Sequence, residues 1–327
     1  MLLLTSGDVI LMSIEKVFNI CKENGRRPIM ISSGNSAVVA ALSMEGRLFY
    51  AHAGEMTSLF RPEAAENISN SKNGFFNPGG DGLWPAPEGT CFGYEYSTGS
   101  WRVPAAMSGA QYEVLEQTGD SFTIAAEIDL VNNQLLGIPC RFIRKSQVRE
   151  TADGTTIIEQ YDAIEYIGNR ELSRSEFLLA PWSLSQFYVD DKTIARFGTV
   201  KGGVRDLYAP SKDLLTVKGD VTEMVHDKVN RIQLALPEES NFVELIVPDK
   251  KLVISRTSAP LAADQEAVDI ADAPVDVKPA GAVRYSIYND PSGFMELEAV
   301  GGCVKEKLVP GTVLGVNITN VIKKLED

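Results

Sequence analysis

Between residues 13 and 24 the chain reads SIEKVFNICKEN, which sets Ile14, Val17, Phe18 and Cys21 at the i, i+3, i+4, i+7 spacing of one helical face, with Gly25 as a stop. A short helix is therefore predicted within an N-terminal segment of residues 1–28. From residue 29 the period falls to two. In PIMISSGNSAVVAALSMEGRLFYAHAGE, the runs SAVVAALS and LFYAHA are joined by MEGR into a hairpin. Residues 112–169 continue as strands of five to ten residues separated by TGD, VNN, ADG and GN, the pattern of an antiparallel meander.

The C-terminal half repeats the theme in TIARFGTV, RIQLAL, NFVELIVPDKKLVISRT, GAVRYSIYND, GFMELEAVGG and GTVLGVNITNVIKKL. Residues 258–281, rich in Ala, Pro and Asp, break every β run and read as a long surface excursion. More than a dozen strands without alternating helices exclude a doubly wound α/β fold, and no repeat of 20 to 50 residues points to a propeller or solenoid. The expectation is an all-β chain, a large antiparallel sandwich occupying residues 29–327 as one domain. Its 327 residues suffice to bury a core without metal or disulfide.

Charge narrows the partners. Against 31 Lys and Arg stand 44 Asp and Glu, a net charge of −13 with no basic cluster to neutralise a row of phosphates, so nucleic acid is not expected. No apolar run reaches the length of a membrane-spanning helix, so no membrane partner is expected either. The opening MLLLTSGDVILM lacks a basic n-region and a cleavage site, so a cytoplasmic location is expected. Cys21, Cys91, Cys140 and Cys303 are far apart, with only His52 and His226 beside them, so free thiols and no metal site are expected. Phosphate-loop, dinucleotide and Gly-x-Ser-x-Gly motifs are absent, so no cofactor is expected.

The chemistry gathers in a few stretches. FNPGGDGLWPAPEGT, residues 76–90, carries Asp81, Trp84 and Glu88 between glycines and prolines, and reads as a loop. An aromatic plate beside carboxylates suits the apolar face and the hydroxyls of a sugar ring. The competing reading is structural: Gly79 and Gly80 permit a positive-φ turn and Trp84 caps the core. Trp101 and Arg102 in GSWRVP, and Trp182 and Gln186 in APWSLSQF, extend the same chemistry. His52 ends a predicted strand and either turns into the cleft or is satisfied structurally.

The hairpin, NPGGDGLWPAPEG, YDAIEYIGNRELSRSEFLLAPWSLSQF and GFMELEAVGG occur in an order that resembles the galactose mutarotase-like superfamily. More narrowly, the chain is similar to an uncharacterised bacterial branch with a Gly-Gly-x-x-x-Trp-Pro-x-Pro motif. The resemblance spans about residues 30 to 325. It implies a β-supersandwich with a carbohydrate cleft across one sheet. In the family's mutarotases a late-strand Glu takes the proton of the anomeric hydroxyl and a His protonates the ring oxygen. The resemblance places that Glu at Glu298, with Glu296 as the alternative on the same face. The family's His segment has no counterpart here, which leaves His52 or Asp81 as candidate acids. Two functions follow: an aldose epimerase-like isomerase acting through Glu298, or a saccharide-binding module that keeps the cleft without the acid and base.

Overall fold

The structure, a computed structural model, describes residues 12–69, 74–88, 103–271 and 278–326. The predicted helix forms at Ile14–Glu23. Ser13 caps it by accepting a hydrogen bond from the Lys16 amide, with Glu15 in the first turn and Lys22 in the last, where the helix dipole favours each charge. Its apolar face buries Ile14, Val17 and Cys21 against Val39, Ala41 and Phe49 of the predicted hairpin, Ser36–Ala41 with Arg47–His52. Among the described residues no helix is long and apolar enough to cross a membrane.

Two ten-stranded antiparallel sheets form the body of the fold. The first runs in the spatial order Pro28–Ser33, Ser36–Ala41, Arg47–His52, Asp81–Ala86, Ala180–Tyr188, Phe294–Val300, Tyr285–Asp290, Ile232–Leu236 and Arg205–Asp206, with Glu55–Met56 paired to Arg47–His52 off this path. The second is centred on four long strands, Ser121–Val131, Gly137–Glu150, Thr156–Tyr166 and Val313–Lys324. In these, buried residues such as Ile124, Phe142, Ile164 and Leu314 alternate with polar positions, as expected for a sheet with one wet face. The central strands of the first sheet are instead buried on both faces. One face meets the second sheet, and the other is covered by the helix and by loops.

Two sequence expectations are corrected. Residues 76–90 are not a loop throughout, because Asp81–Ala86 is a central strand between Arg47–His52 and Ala180–Tyr188. Proline is normally excluded from such a position. Here Pro85 stands opposite Pro181, and Pro181 turns its carbonyl away to accept from the Gly301 amide at 2.7 Å. The missing N–H groups thus fall where the two strands make no ladder bond with each other. The excursion at 258–281, of which 272–277 lie outside the described residues, is also more ordered than expected in its described part. Gln265–Ala267 pairs with Gly302–Val304, Val268 and Ile270 are buried, and Asp269 accepts from Arg205 Nη2 at 2.5 Å and from the Ala280 amide at 2.7 Å. Cys21, Cys140 and Cys303 are buried free thiols, and burial pushes Cys21 up to about 12; Cys91 lies outside the described residues.

Candidate functional site

The period of two decides which side chains meet. Trp84 pairs with Trp182, Leu184 with Glu298, and Gln186 with Glu296, while Glu296 in turn faces Tyr288 and Tyr288 faces Gln233. These residues therefore share the outward face of the first sheet. Loops bring Arg61, Phe75, Asn77, Glu88, Tyr208 and Arg231 over them, closing a cavity of about 360 Å³. Trp84 and Trp182 meet edge to face with ring centres 6.0 Å apart. Arg231 stacks on Tyr208, 3.9 Å from guanidinium to ring centre, and donates to its hydroxyl at 2.7 Å.

The turn into Asp81–Ala86 explains the paired glycines. Gly79 and Gly80 have φ of 78° and 68°, and a Cβ on Gly80 would lie 2.5 Å from the Leu48 carbonyl oxygen. Only glycine fits that close approach without strain. Gly82 leaves room on the cavity side for the Arg47 guanidinium, which also lies 5.4 Å from the Trp84 ring.

Two carboxyls occupy the floor. Glu298 is fully buried and accepts from Trp182 Nε1 at 3.0 Å and from Gln233 Nε2 at 3.1 and 3.2 Å. Glu296, 8% exposed, accepts from Gln186 Nε2 at 2.8 Å. Burial pushes Glu296 up to about 7, opposed chiefly by the Arg47 charge. Burial also lifts Glu298 well above the usual carboxylate range, and the neighbouring Glu296 charge lifts it further. Every donor to the pair named here is a neutral amide or indole.

Asp81, three residues before Trp84, falls on the opposite face of its strand. Its carboxylate lies between the sheets, bonded to Arg144, to Arg256 Nη1 at 2.8 Å and to Gln160 Nε2 at 3.0 Å. It is not part of the cavity. His52 shares the inter-sheet face with Tyr50; its Nδ1 is 2.8 Å from Thr156 Oγ1 of the second sheet, and burial lowers its pKa. His226 Nδ1 lies 2.6 Å from Asn289 Oδ1, also outside the cavity lining. Trp101 and Arg102 lie outside the described residues. Trp84, Glu88, Trp182, Gln186, Glu296 and Glu298 all line the one cavity.

Tyr208, Arg231, Gln233, Tyr288 and Asp290 were not anticipated. A signal existed for most of them: in RIQLAL and YSIYND polar residues recur at alternate positions of strands whose other face is apolar. That is the mark of a polar surface inside a two-sided buried sheet. Among the described residues, no group of three or more His, Cys, Asp or Glu side chains converges as a metal ion would require.

No family model and no curated protein matches the chain in sequence. Solved structures do match in fold. A galactose mutarotase-like protein from Lactobacillus casei superposes with a TM-score of 0.56 at 11% identity, covering 90% of this chain and all of that one. A galactose mutarotase related enzyme from Lactobacillus acidophilus gives 0.53 at 10% identity, covering 92% of this chain and 98% of that one. With two large antiparallel sheets stacked as a sandwich and a short N-terminal helix, this chain has the fold of the galactose mutarotase-like proteins.

Proposed function

We propose that the cavity binds an aldose and that the protein interconverts its anomers, as an aldose 1-epimerase-like isomerase using a carboxylate of the Glu296 and Glu298 pair as base. The observation that carries this reading is the meeting, in one cavity, of the Trp84 and Trp182 rings with two buried carboxyls. Aromatic faces take the C–H side of a pyranose, and the amides of Gln186 and Gln233 and the carboxyl of Glu88 suit its hydroxyls. The volume falls within the range of small-molecule sites, roughly 300 to 1,000 Å³. A carboxyl whose affinity for protons lies near neutrality both accepts and returns a proton at physiological pH, as ring opening and closure require.

A second reading is a saccharide-binding module without catalysis. It is favoured by one observation: neither histidine of the chain lines the cavity. Polarimetry on freshly dissolved aldoses, run beside calorimetric binding of the same sugars, separates the two. An epimerase accelerates the optical change, and Glu298→Gln abolishes the acceleration while leaving affinity within a few-fold. A binding module shows affinity without acceleration. A broad aldose panel giving neither heat nor acceleration removes both readings.

A further inference from the structure

Ring opening moves two protons at adjacent oxygens: one leaves the anomeric hydroxyl and one arrives at the ring oxygen. The floor of the cavity presents the carboxyls of Glu296 and Glu298 side by side, and neither histidine lines it. Glu296 and Glu298 stand two residues apart on one strand face, within hydrogen-bonding reach of each other. Glu298 lies deeper, fully buried under Trp182 and Gln233, whereas Glu296 keeps 8% exposure and a single amide donor from Gln186. The charged or titratable groups facing the pair are Arg47, Arg61, Glu88, Tyr208, Arg231, Tyr288 and Asp290. Arg47 is held by Glu45 Oε2 at 2.7 Å, Arg231 is stacked on Tyr208, and Arg61 donates to Ser292 Oγ at 3.1 Å and lies over the Phe294 ring, so each cation has another partner. Two like charges at this spacing under neutral donors are unfavourable, and one shared proton relieves them.

We propose that Glu296 and Glu298 hold one proton between them and that this dyad performs both transfers of ring opening, with Glu298 as the acid and Glu296 as the base. The catalytic part rests on the epimerase reading; the shared proton does not. In the step, the Glu296 carboxylate takes the proton of the anomeric hydroxyl and the electrons of that O–H bond form the carbonyl. The bond from the anomeric carbon to the ring oxygen breaks, and the ring oxygen takes the proton of Glu298. The dyad still carries one proton, now on Glu296. Ring closure on the other face of the carbonyl reverses both transfers.

Infrared titration of the sugar-free protein, with glutamate labelled in the side-chain carboxyl, counts the protons directly. The expected result at about pH 8, above the value of about 7 to which burial pushes Glu296, is the C=O stretch of one neutral carboxylic acid per chain. It disappears in Glu298→Gln and persists in Glu296→Gln. Two ionised carboxylates at that pH overturn the dyad, and the wild-type spectrum alone decides this should either variant fail to fold. Polarimetry then reads the chemistry: a rate rising through about pH 7 as Glu296 ionises, with at least a hundredfold loss in either variant. Turnover with both carboxyls ionised overturns the dyad and leaves the epimerase standing. A shared proton without turnover overturns the transfer step and the epimerase together.

Discussion

Two buried polar clusters lie on opposite faces of the same sheet, and the strands Asp81–Ala86 and Ala180–Tyr188 contribute to both. Between the sheets, Asp81 and Asp162 meet Arg144 and Arg256, two charges of each sign. Arg144 donates to Asp162 at 2.8 and 2.9 Å, Ser183 donates to Asp162 at 2.7 Å, and Tyr50 donates to Gln160 at 2.7 Å. On the outer face, Glu296 and Glu298 are both acids, and the hydrogen bonds named above reach them from neutral groups. The same depth of burial thus has opposite results. Arg256 and Arg144 hold Asp81 below the usual carboxylate range, despite the cost of burying it, while burial lifts the two glutamates. A compensated cluster fixes how the sheets lie on each other; an uncompensated one keeps its protons exchangeable, which suits chemistry.

The sharpest way to break this contrast is Asp81→Ala. It leaves two buried guanidinium groups without that carboxylate and is expected to cost about 3 to 5 kcal/mol, read as a fall in the urea midpoint. An unchanged midpoint means that the inter-sheet cluster is not structural.

The next effect is in pH. Glu296 is raised from an ordinary value of about 4.3 to about 7, so the stability it contributes is fully present below the ordinary value and lost as pH rises through the raised one. Asp81 is lowered, so its contribution is present above the ordinary value and lost as pH falls through the lowered one. Denaturation from about pH 5 to about pH 8 should therefore show wild type losing ground against Glu296→Gln. Against Asp81→Asn the gap should stay flat there and shrink only in acid. Parallel slopes for the two pairs would erase the distinction.

Smaller still is Trp84→Phe, which keeps an aromatic face but a lesser one. Sugar affinity should fall severalfold, about 1 kcal/mol by calorimetry. Least of all is the stability change in Glu298→Gln at neutral pH. It should stay below about 1 kcal/mol, because an uncharged group replaces one already held uncharged. A large loss by thermal denaturation would show that Glu298 is ionised in the fold.

Much of the architecture was legible in the sequence because it rests on periodicity. The spacing of Ile14, Val17 and Cys21, and the MEGR turn, decide local structure by themselves. The outer-face side chains Trp84, Glu88, Trp182 and Gln186 were legible by residue type, whereas Glu296 and Glu298 were reached only through the family resemblance; all six line the cavity. Asp81 was misplaced because its prolines and glycines hid a strand; once Asp81–Ala86 is extended, the three-residue step to Trp84 alone sends the two side chains to opposite faces. Arg231 and Tyr288 escaped notice for another reason. Their meeting depends on which strands become neighbours, and a polar position in a strand does not name its partner across the sheet.

The order of strands around the cavity also bears on how the chain folds. Neighbours in space are Asp81–Ala86, Ala180–Tyr188, Phe294–Val300, Tyr285–Asp290 and Ile232–Leu236, so contacts about a hundred residues apart in sequence must close before any wall of the cavity exists. Such topology folds slowly, since loop entropy is spent before the pairing that offsets it. During synthesis the meander of the second sheet, from Ser121 to Tyr166, pairs with near neighbours and can assemble early. The cavity has to wait until Phe294–Val300 has emerged, and until then the edge of Ala180–Tyr188 that this strand will cover is where misassembly would begin.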